Sequence, residues 1–162
     1  MIRLSIPLFP PSTNNAYFTK MTGSKAKGGK KVAIRVLTNE GRKFKREFKT
    51  WVAQNHPEVL SFFSSPSGEY SVLLVLYFRN LYNAGWPKEA KTRHKKIDGT
   101  NYIKVAEDAL VEACGHDDSQ HVTFTVMKAQ ASKGAEPSMD VWAWNSEEED
   151  GPLEAFVCSQ RR

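Results

Sequence analysis

The sequence predicts an α/β (α+β) fold in which helices pack on one small mixed β-sheet, with the elements in the order β-α-β-α-β-β. A run rich in Val, Leu, Tyr and Phe over residues 69–79 is typical of a buried central strand. Apolar residues at helical spacing over 38–55 and 99–114 predict two amphipathic helices. With 162 residues, 40% of them apolar, the chain is long enough for one domain with an ordinary core.

The N-terminal third contains the first strand and the first helix. Weak alternation over residues 1–7 predicts a strand, which Pro10 and Pro11 end because proline fixes φ and lacks an N–H donor. Thr38 has the side chain and the following residues of a helix N-cap. We expect the helix it begins to end before Pro57.

The remaining elements follow the central strand. Residues 80–96 form a polar loop with many basic side chains, and the second helix runs from 99 to 114, with Gly115 at its end. Residues 121–129 and 139–144 predict the last two strands, joined by a turn. Helices between strands predict a layer of helices on a sheet.

The charge distribution favours a partner that carries phosphate. Five of the 18 acids and two of the 23 bases lie after residue 144, so residues 1–144 carry a net charge of about +8. A surface this basic attracts nucleic acid, although a solvated basic surface remains the alternative. We therefore divide the chain into a domain over residues 1–145 and an acidic tail over 146–162, which is predicted to be disordered.

Residues 19–36 are rich in Gly and Lys and contain no acid, which predicts a mobile basic loop or a hairpin. No apolar run approaches the roughly 20 residues of a membrane-spanning helix, so no membrane partner is expected. The N-terminal residues also lack the pattern of a secretory signal. The expected location is cytoplasmic.

The second helix and the turn after it carry the candidate site. Asn101, Lys104 and Asp108 share the polar side of the predicted helix, with Asp98 at its N-terminal end. Asp98 is either a helix cap or a metal ligand, and Lys104 either pairs with Asp108 or acts in catalysis. The neighbouring acids Asp117 and Asp118 repel each other unless a cation or donors lie between them. They reach Asp98 only if the turn folds back along the helix or a dimer partner completes the site.

These segments together resemble the RusA-type Holliday junction resolvases, in order and approximate spacing, over most of residues 3–144. No single segment is specific, whereas the set is moderately so. The segments are residues 10–15 (PPSTNN), 38–42 (TNEGR), 98–104 (DGTNYIK), 108–110 (DAL) and 117–120 (DDSQ), with Val122 and Lys128.

The resemblance implies a RusA-like fold and a homodimer that binds four-way DNA junctions and makes symmetric cuts with Mg²⁺ or Mn²⁺. It also implies that Asp98 and Asp118 bind the metal, that Lys104 promotes cleavage and that Asn101 lies beside the metal. Thr100 stands where the family often has a second aspartate, so Thr100 and Asp117 are further candidate ligands. The residues expected to contact DNA are Asn14, Asn15, Lys20, Lys25, Lys27, Lys30, Lys31, Arg35, Lys95 and Lys96.

Two rival functions remain open at this stage. The missing carboxylate at Thr100 is compatible with a non-catalytic relative that binds branched DNA, and the basic surface is compatible with a module that binds an acidic protein. Aromatic residues near the first turn are hypothesised to wedge a junction open; they are Phe9, Tyr17 and Phe18. His116 is expected to be a surface or a DNA-facing residue.

Overall fold

The computed structural model describes residues 1–23, 31–64 and 68–146. Its elements are β1 (Ile2–Ile6), α1 (Thr13–Ala16), β2 (Tyr17–Gly23), β3 (Lys31–Leu37), α2 (Asn39–Asn55), α3 (Glu58–Phe62), β4 (Tyr70–Phe78), α4 (Thr100–Cys114), a 3-10 turn (Asp118–Gln120), β5 (His121–Gln130) and β6 (Ser138–Asn145). Across these ranges, no helix combines the length and the apolar character that crossing a membrane requires.

The main sheet has four strands in the order β1-β6-β4-β5. Strand β6 runs antiparallel to both β1 and β4, whereas β4 and β5 are parallel and α4 lies on the crossover between them. Strand β4 is buried along nearly its whole length, as its continuous apolar sequence predicts for a strand hydrogen-bonded on both sides. The predicted mixed sheet with packed helices is confirmed.

The side chains of β4 alternate between two apolar clusters. Val72, Leu74 and Leu76 belong to the main core with the buried faces of α2 and α4. Leu73 and Val75 belong to a smaller cluster, which includes Trp144. Because successive residues of a strand point to opposite faces, the two clusters lie on the two sides of the sheet.

The helix termini match the signals in the sequence. The Thr38 hydroxyl accepts a hydrogen bond from the Gly41 N–H at 3.1 Å and donates one to the Asn15 carbonyl at 2.7 Å. Helix α2 ends at Asn55, before Pro57. Helix α4 ends at Gly115, whose φ of 73° is left-handed backbone that glycine adopts without strain.

The predicted order describes the main sheet with α2 and α4, and the structure adds a hairpin and two short helices, α1 and α3. Over residues 19–36 the hairpin alternative is confirmed for the described ends, where Phe18 pairs with Val36 and Lys20 with Ile34. Residues 24–30 and the predicted tail from residue 147 onward lie outside the described residues. The short helices escaped prediction because one turn is too short to show a repeat.

Gly41 lies where the start of α2 contacts α1, and a Cβ at this position would be 2.7 Å from the Ala16 carbonyl oxygen and 2.8 Å from Leu37 Cδ2. We expect Gly41→Ala to destabilise the fold by about 1–3 kcal/mol, because a backbone atom has to move. The sign of this change in stability is diagnostic, because a helical Gly→Ala change without a clash stabilises a protein by about 0.5–1 kcal/mol. Urea unfolding measures it, and a stabilised variant would contradict the close contact.

Candidate functional site

Lys104 is the centre of an ion-pair network on the polar side of α4. Its Nζ lies 2.8 Å from Asp108 Oδ1, 3.2 Å from Asp118 Oδ2 and 4.0 Å from Glu107 Oε2. The hydrogen bond to Asp108, followed by the one to Asp118, raises the pKa of Lys104 above its ordinary value. The side chain is therefore a protonated, partly exposed cation held among carboxylates.

The turn after α4 brings Asp118 to Lys104. Asp117 Oδ1 accepts the Ser119 N–H at 2.8 Å, and Gln120 Oε1 accepts the Asp117 N–H at 3.1 Å, so both ends of a capping box are present. Gln120 Nε2 also donates to the Gly68 carbonyl at 3.0 Å, before β4. These bonds fold the turn back beside the helix. The hydrogen bonds from Ser119 also lower the pKa of Asp117.

Asp98 precedes the helix, which begins at Thr100. Its Oδ1 accepts hydrogen bonds from the Thr100 hydroxyl at 2.6 Å and from the Thr100 N–H at 3.0 Å. These bonds lower the pKa of the fully exposed Asp98, and the Lys128 ammonium lowers it further. Lys128 Nζ donates to the neighbouring Ile97 carbonyl at 2.8 Å. Asp98 is therefore an ionised carboxylate at the N-terminal end of α4.

Asp118 accepts a hydrogen bond from Lys104, whereas Asp98 accepts hydrogen bonds from Thr100. Six residues separate Asp98 from Lys104, which corresponds to about 9 Å along a helix axis. Among the described residues, no three Asp, Glu, His or Cys side chains come close enough to form a metal-binding group. The turn thus folds back as one alternative required and brings Asp118 to Lys104, whereas the hydrogen-bond partner of Asp98 is Thr100.

The N-terminal turn is attached to the start of α4. The Thr13 hydroxyl donates a hydrogen bond to the Asn101 carbonyl at 2.6 Å, and the Asn101 side chain is half-buried. Asn14 and Asn15 follow Thr13 in α1 and are exposed. Both predicted DNA contacts therefore lie in the segment that is bonded to the start of this helix.

The described part of the predicted basic surface has two sections. Lys95 and Lys96 are exposed just before Asp98. In the hairpin, Lys20 and Arg35 are exposed, but their register positions differ by one residue and they point to opposite faces. Lys31 pairs through its backbone with Gly23 in the hairpin. The predicted contacts Lys25, Lys27 and Lys30 and the side chain of Lys31 lie outside the described residues.

The hairpin is anchored beside the Lys104 network by Tyr17, the first residue of β2. The Tyr17 hydroxyl donates a hydrogen bond to Asp108 Oδ2. Burial, followed by the interaction with the Asp108 carboxylate, raises the pKa of Tyr17 well above its ordinary value. The base of the hairpin thus contacts the acid that holds Lys104.

Two of the three aromatic residues near the first turn are packed rather than free to wedge DNA. Phe9 makes edge contacts with Phe78 and Tyr102, with ring centroids 4.9 and 5.5 Å apart, and the Tyr17 hydroxyl is bonded to Asp108. Phe18 remains a candidate for the wedge, because 48% of its surface is exposed.

His116, expected as a surface or DNA-facing residue, is half-buried against other rings and does not stand free at the surface. Its ring stacks on Phe63 with centroids 4.2 Å apart, and its Nε2 lies 2.7 Å from His121 Nε2. Burial, followed by the neighbouring His121, lowers the pKa of His116 to about 4. Phe63 directly follows α3, one of the short helices that the sequence did not predict, and it covers the imidazole.

Sequence reasoning also missed an exposed group of aromatic and basic side chains between β4 and α4. Tyr82 and Trp86 are 43% and 47% exposed, and the Arg93 guanidinium contacts both rings. The signal was present, because this loop contains both aromatic and basic residues, a combination found in proteins that bind unpaired nucleic-acid bases.

Comparison with known families identifies the family of this chain. The family model of the endodeoxyribonuclease RusA matches residues 7–139 of the 162-residue chain. The chain belongs to the RusA endodeoxyribonuclease family. The match to RusA runs from the turn before α1 to the start of β6, and so includes Asp98, Lys104, Asp117 and Asp118. No curated protein matches the chain at a significant level.

Proposed function

We propose that this protein is a structure-specific endonuclease that resolves Holliday (four-way) junctions by Mg²⁺-dependent hydrolysis, with symmetric cuts made by a homodimer. The observation that carries the proposal is the protonated Lys104 held 3.2 Å from Asp118, on the same helix that begins beside Asp98, in a chain of an endodeoxyribonuclease family. A cation beside acidic metal ligands is suited to stabilise charge that develops on a phosphate.

The donor set fits Mg²⁺, and Mn²⁺ has the same oxygen preference. Magnesium commonly binds to one or two protein carboxylates, keeps several waters and takes further oxygens from substrate phosphates, so it does not need three protein acids in one place. Asp98 is exposed and ionised, and its Oδ2 accepts no hydrogen bond from the described residues. We assign Asp98 and Asp118 as the principal ligands, with Thr100 and Asp117 as supporting ones. A bound Mg²⁺ supplies positive charge and a more acidic water.

Lys104 acts on the phosphate in this proposal. Its ammonium stays protonated because of Asp108 and Asp118, and half of its side chain is exposed, so a phosphate oxygen can approach it. Asp108 and Glu107 limit its movement from the helix side. Asn101 lies one turn earlier in α4, and its carbonyl accepts a hydrogen bond from the Thr13 hydroxyl. In this proposal, that bond holds the start of the helix in place near the DNA.

DNA binding is assigned to exposed groups on both sides of this helix start. Lys95 and Lys96 contribute charge just before Asp98, and Asn14 and Asn15 contribute amides from α1. The hairpin adds Lys20 and Arg35, one on each of its faces. Such contacts with phosphates predict binding that weakens steeply with added salt.

The proposed homodimer is supported by the face of the sheet opposite α2 and α4. The apolar residues that pack with Leu73, Val75 and Trp144 there all belong to strands. On this face the Arg3 guanidinium lies 4.7 Å from the Trp142 ring centroid and 2.8 Å from the buried Asp140. Trp142 Nε1 is buried without a hydrogen-bond partner among the described residues. A second copy is the partner that we propose for this face, since two-fold proteins suit two-fold junctions.

A non-catalytic relative that binds branched DNA is the second candidate, and Thr100 favours it. The Thr100 hydroxyl donates to Asp98 and so occupies one carboxylate oxygen, whereas an aspartate at this position would add a negative charge. Loss of one charge weakens metal binding. On this hypothesis the protein binds junctions without cutting them.

A junction cleavage assay tests the proposal. We expect the full chain to cut a labelled four-way junction, but not the matched linear duplex, with added Mg²⁺ and not with a chelator. In a junction that stays intact after the first nick, nicks in two opposite strands during one encounter indicate that a dimer makes the cuts. Sedimentation measures the mass of that dimer. Junction binding without cutting at any Mg²⁺ or Mn²⁺ concentration would support the second candidate. No preference for the junction over the duplex would contradict both.

A further inference from the structure

The loop over residues 80–96, called the aromatic loop below, presents two exposed rings around one guanidinium. The Arg93 guanidinium carbon lies 5.3 Å from the Tyr82 ring centroid and 5.9 Å from that of Trp86. Both rings are more than two-fifths exposed, so their faces are accessible from solvent. The His94 ring is 5.1 Å from the Tyr82 ring and extends the group.

The backbone of the aromatic loop is held by its own hydrogen bonds. Asn83 Nδ2 donates to the carbonyls of Thr92 and His94, at 2.8 and 3.1 Å. The Asn83 N–H donates to the Arg93 carbonyl, and the Lys95 N–H donates to the carbonyl of buried Leu81, each at 2.9 Å. The rings therefore project from a closed, anchored loop, which lowers the entropy cost of binding to them.

The charge of the aromatic loop selects a partner that carries phosphate. Residues 80–96 contain five basic side chains and one acid, Glu89. Lys95 and Lys96 are exposed and lie just before Asp98, so the loop borders the proposed cleavage site. Planar aromatic side chains among basic ones bind single-stranded nucleic acid, because every base has a face that stacks and every nucleotide has a phosphate.

We propose that the aromatic loop stacks an unpaired nucleobase at the branch point of the DNA, on Trp86 and Tyr82 with Arg93 beside them, while its lysines contact the flanking phosphates. This inference rests on the proposed action on branched DNA. In a continuous duplex the faces of the bases are covered by their neighbours, whereas a branch point or a bulge exposes one. The aromatic loop thus distinguishes branched from linear DNA.

Trp86 variants that differ only in aromaticity test this assignment. The probe is a short duplex with a small bulge that contains 2-aminopurine, compared with the same duplex fully paired, in a chelator so that neither is cut. We expect the unchanged protein to quench the probe and to bind the bulged duplex about tenfold more tightly. Trp86→Leu removes the quenching and the preference, whereas Trp86→Phe keeps both. All three proteins bind the paired duplex equally, which shows that the fold is intact.

Two results would overturn the inference: no quenching with the unchanged protein, or full quenching and preference with Trp86→Leu. Junction cleavage measured on the same proteins separates this inference from the proposed function. Quenching without cleavage leaves the stacking assignment standing and removes the nuclease assignment. Cleavage by the unchanged protein without quenching keeps the nuclease assignment and removes the stacking assignment.

Discussion

Asp98→Asn is expected to lower the rate of junction cleavage by a factor of about 100 to 1000 while junction binding stays unchanged or becomes tighter. The amide is isosteric and can still accept the hydrogen bonds from Thr100, so the start of α4 is preserved. What the variant loses is the negative charge that we propose as a ligand of the metal ion. Removing that charge also reduces the repulsion of DNA phosphates. Single-turnover cleavage and binding in a chelator measure the two effects.

The control for this variant is Glu136→Gln, which removes an exposed acid paired with Arg79 in the turn before β6. This control should cut at the rate of the unchanged protein. Asp118→Asn should behave as Asp98→Asn does, and Asp117→Asn should matter more here than in a relative with an aspartate at position 100. Undiminished cleavage by Asp98→Asn at low Mg²⁺ would remove Asp98 from the metal site.

Lys104→Met has the second largest expected effect, a decrease in cleavage rate of about 100-fold. The change keeps most of the length of the side chain and removes the ammonium that lies between Asp108 and Asp118. Since Lys104 and Asp118 are each about half exposed, we expect stability to fall by about 1 kcal/mol or less. Lys104→Arg restores the charge and should recover part of the rate. Cleavage kinetics and urea unfolding distinguish the catalytic contribution from the structural one.

Lys43→Met is the matched control, because Lys43 also forms a surface ion pair, with Glu47 one turn along α2 at 3.8 Å. It should change neither cleavage nor stability measurably. If Lys104→Met cuts at the normal rate but unfolds at lower urea, Lys104 is only an ion-pair bridge between the helix and the turn. That outcome would return Lys104 to the first of its two sequence interpretations.

The main elements could be predicted because their signals are local. The continuous apolar run of β4 and the helical spacing of Phe44, Phe48 and Val52 are visible in short windows of sequence. The hairpin was harder to predict, because glycines and lysines dominate its composition and the pairing of Phe18 with Val36 joins residues far apart in the chain. His116 was misplaced for a related reason, since the ring that covers it comes from another element.

The candidate site was predictable in its residues but not in its geometry. The polar side of α4 follows from the 3.6-residue repeat, and Asp98 as a group that binds Thr100 follows from the rules of helix termini. The contact between Lys104 and Asp118 depends on the capping box at Asp117 and on the bond from Gln120 to Gly68. Those interactions cross between elements, so no pattern within one helix reveals them.

The hydrogen bond from Tyr17 to Asp108 distinguishes Asp108 from the acids that we propose as metal ligands. Asp108 presents Oδ2 to a phenol that burial keeps protonated and Oδ1 to the ammonium of Lys104. Both of its oxygens thus have a donor, each from a different residue. Although Asp108 is the acid nearest to Lys104, its interactions make it a structural anchor that joins the hairpin, the helix and Lys104. Under the proposed function, recruitment of a divalent ion is left to Asp98, which precedes α4 in the chain, and to Asp118, which follows it.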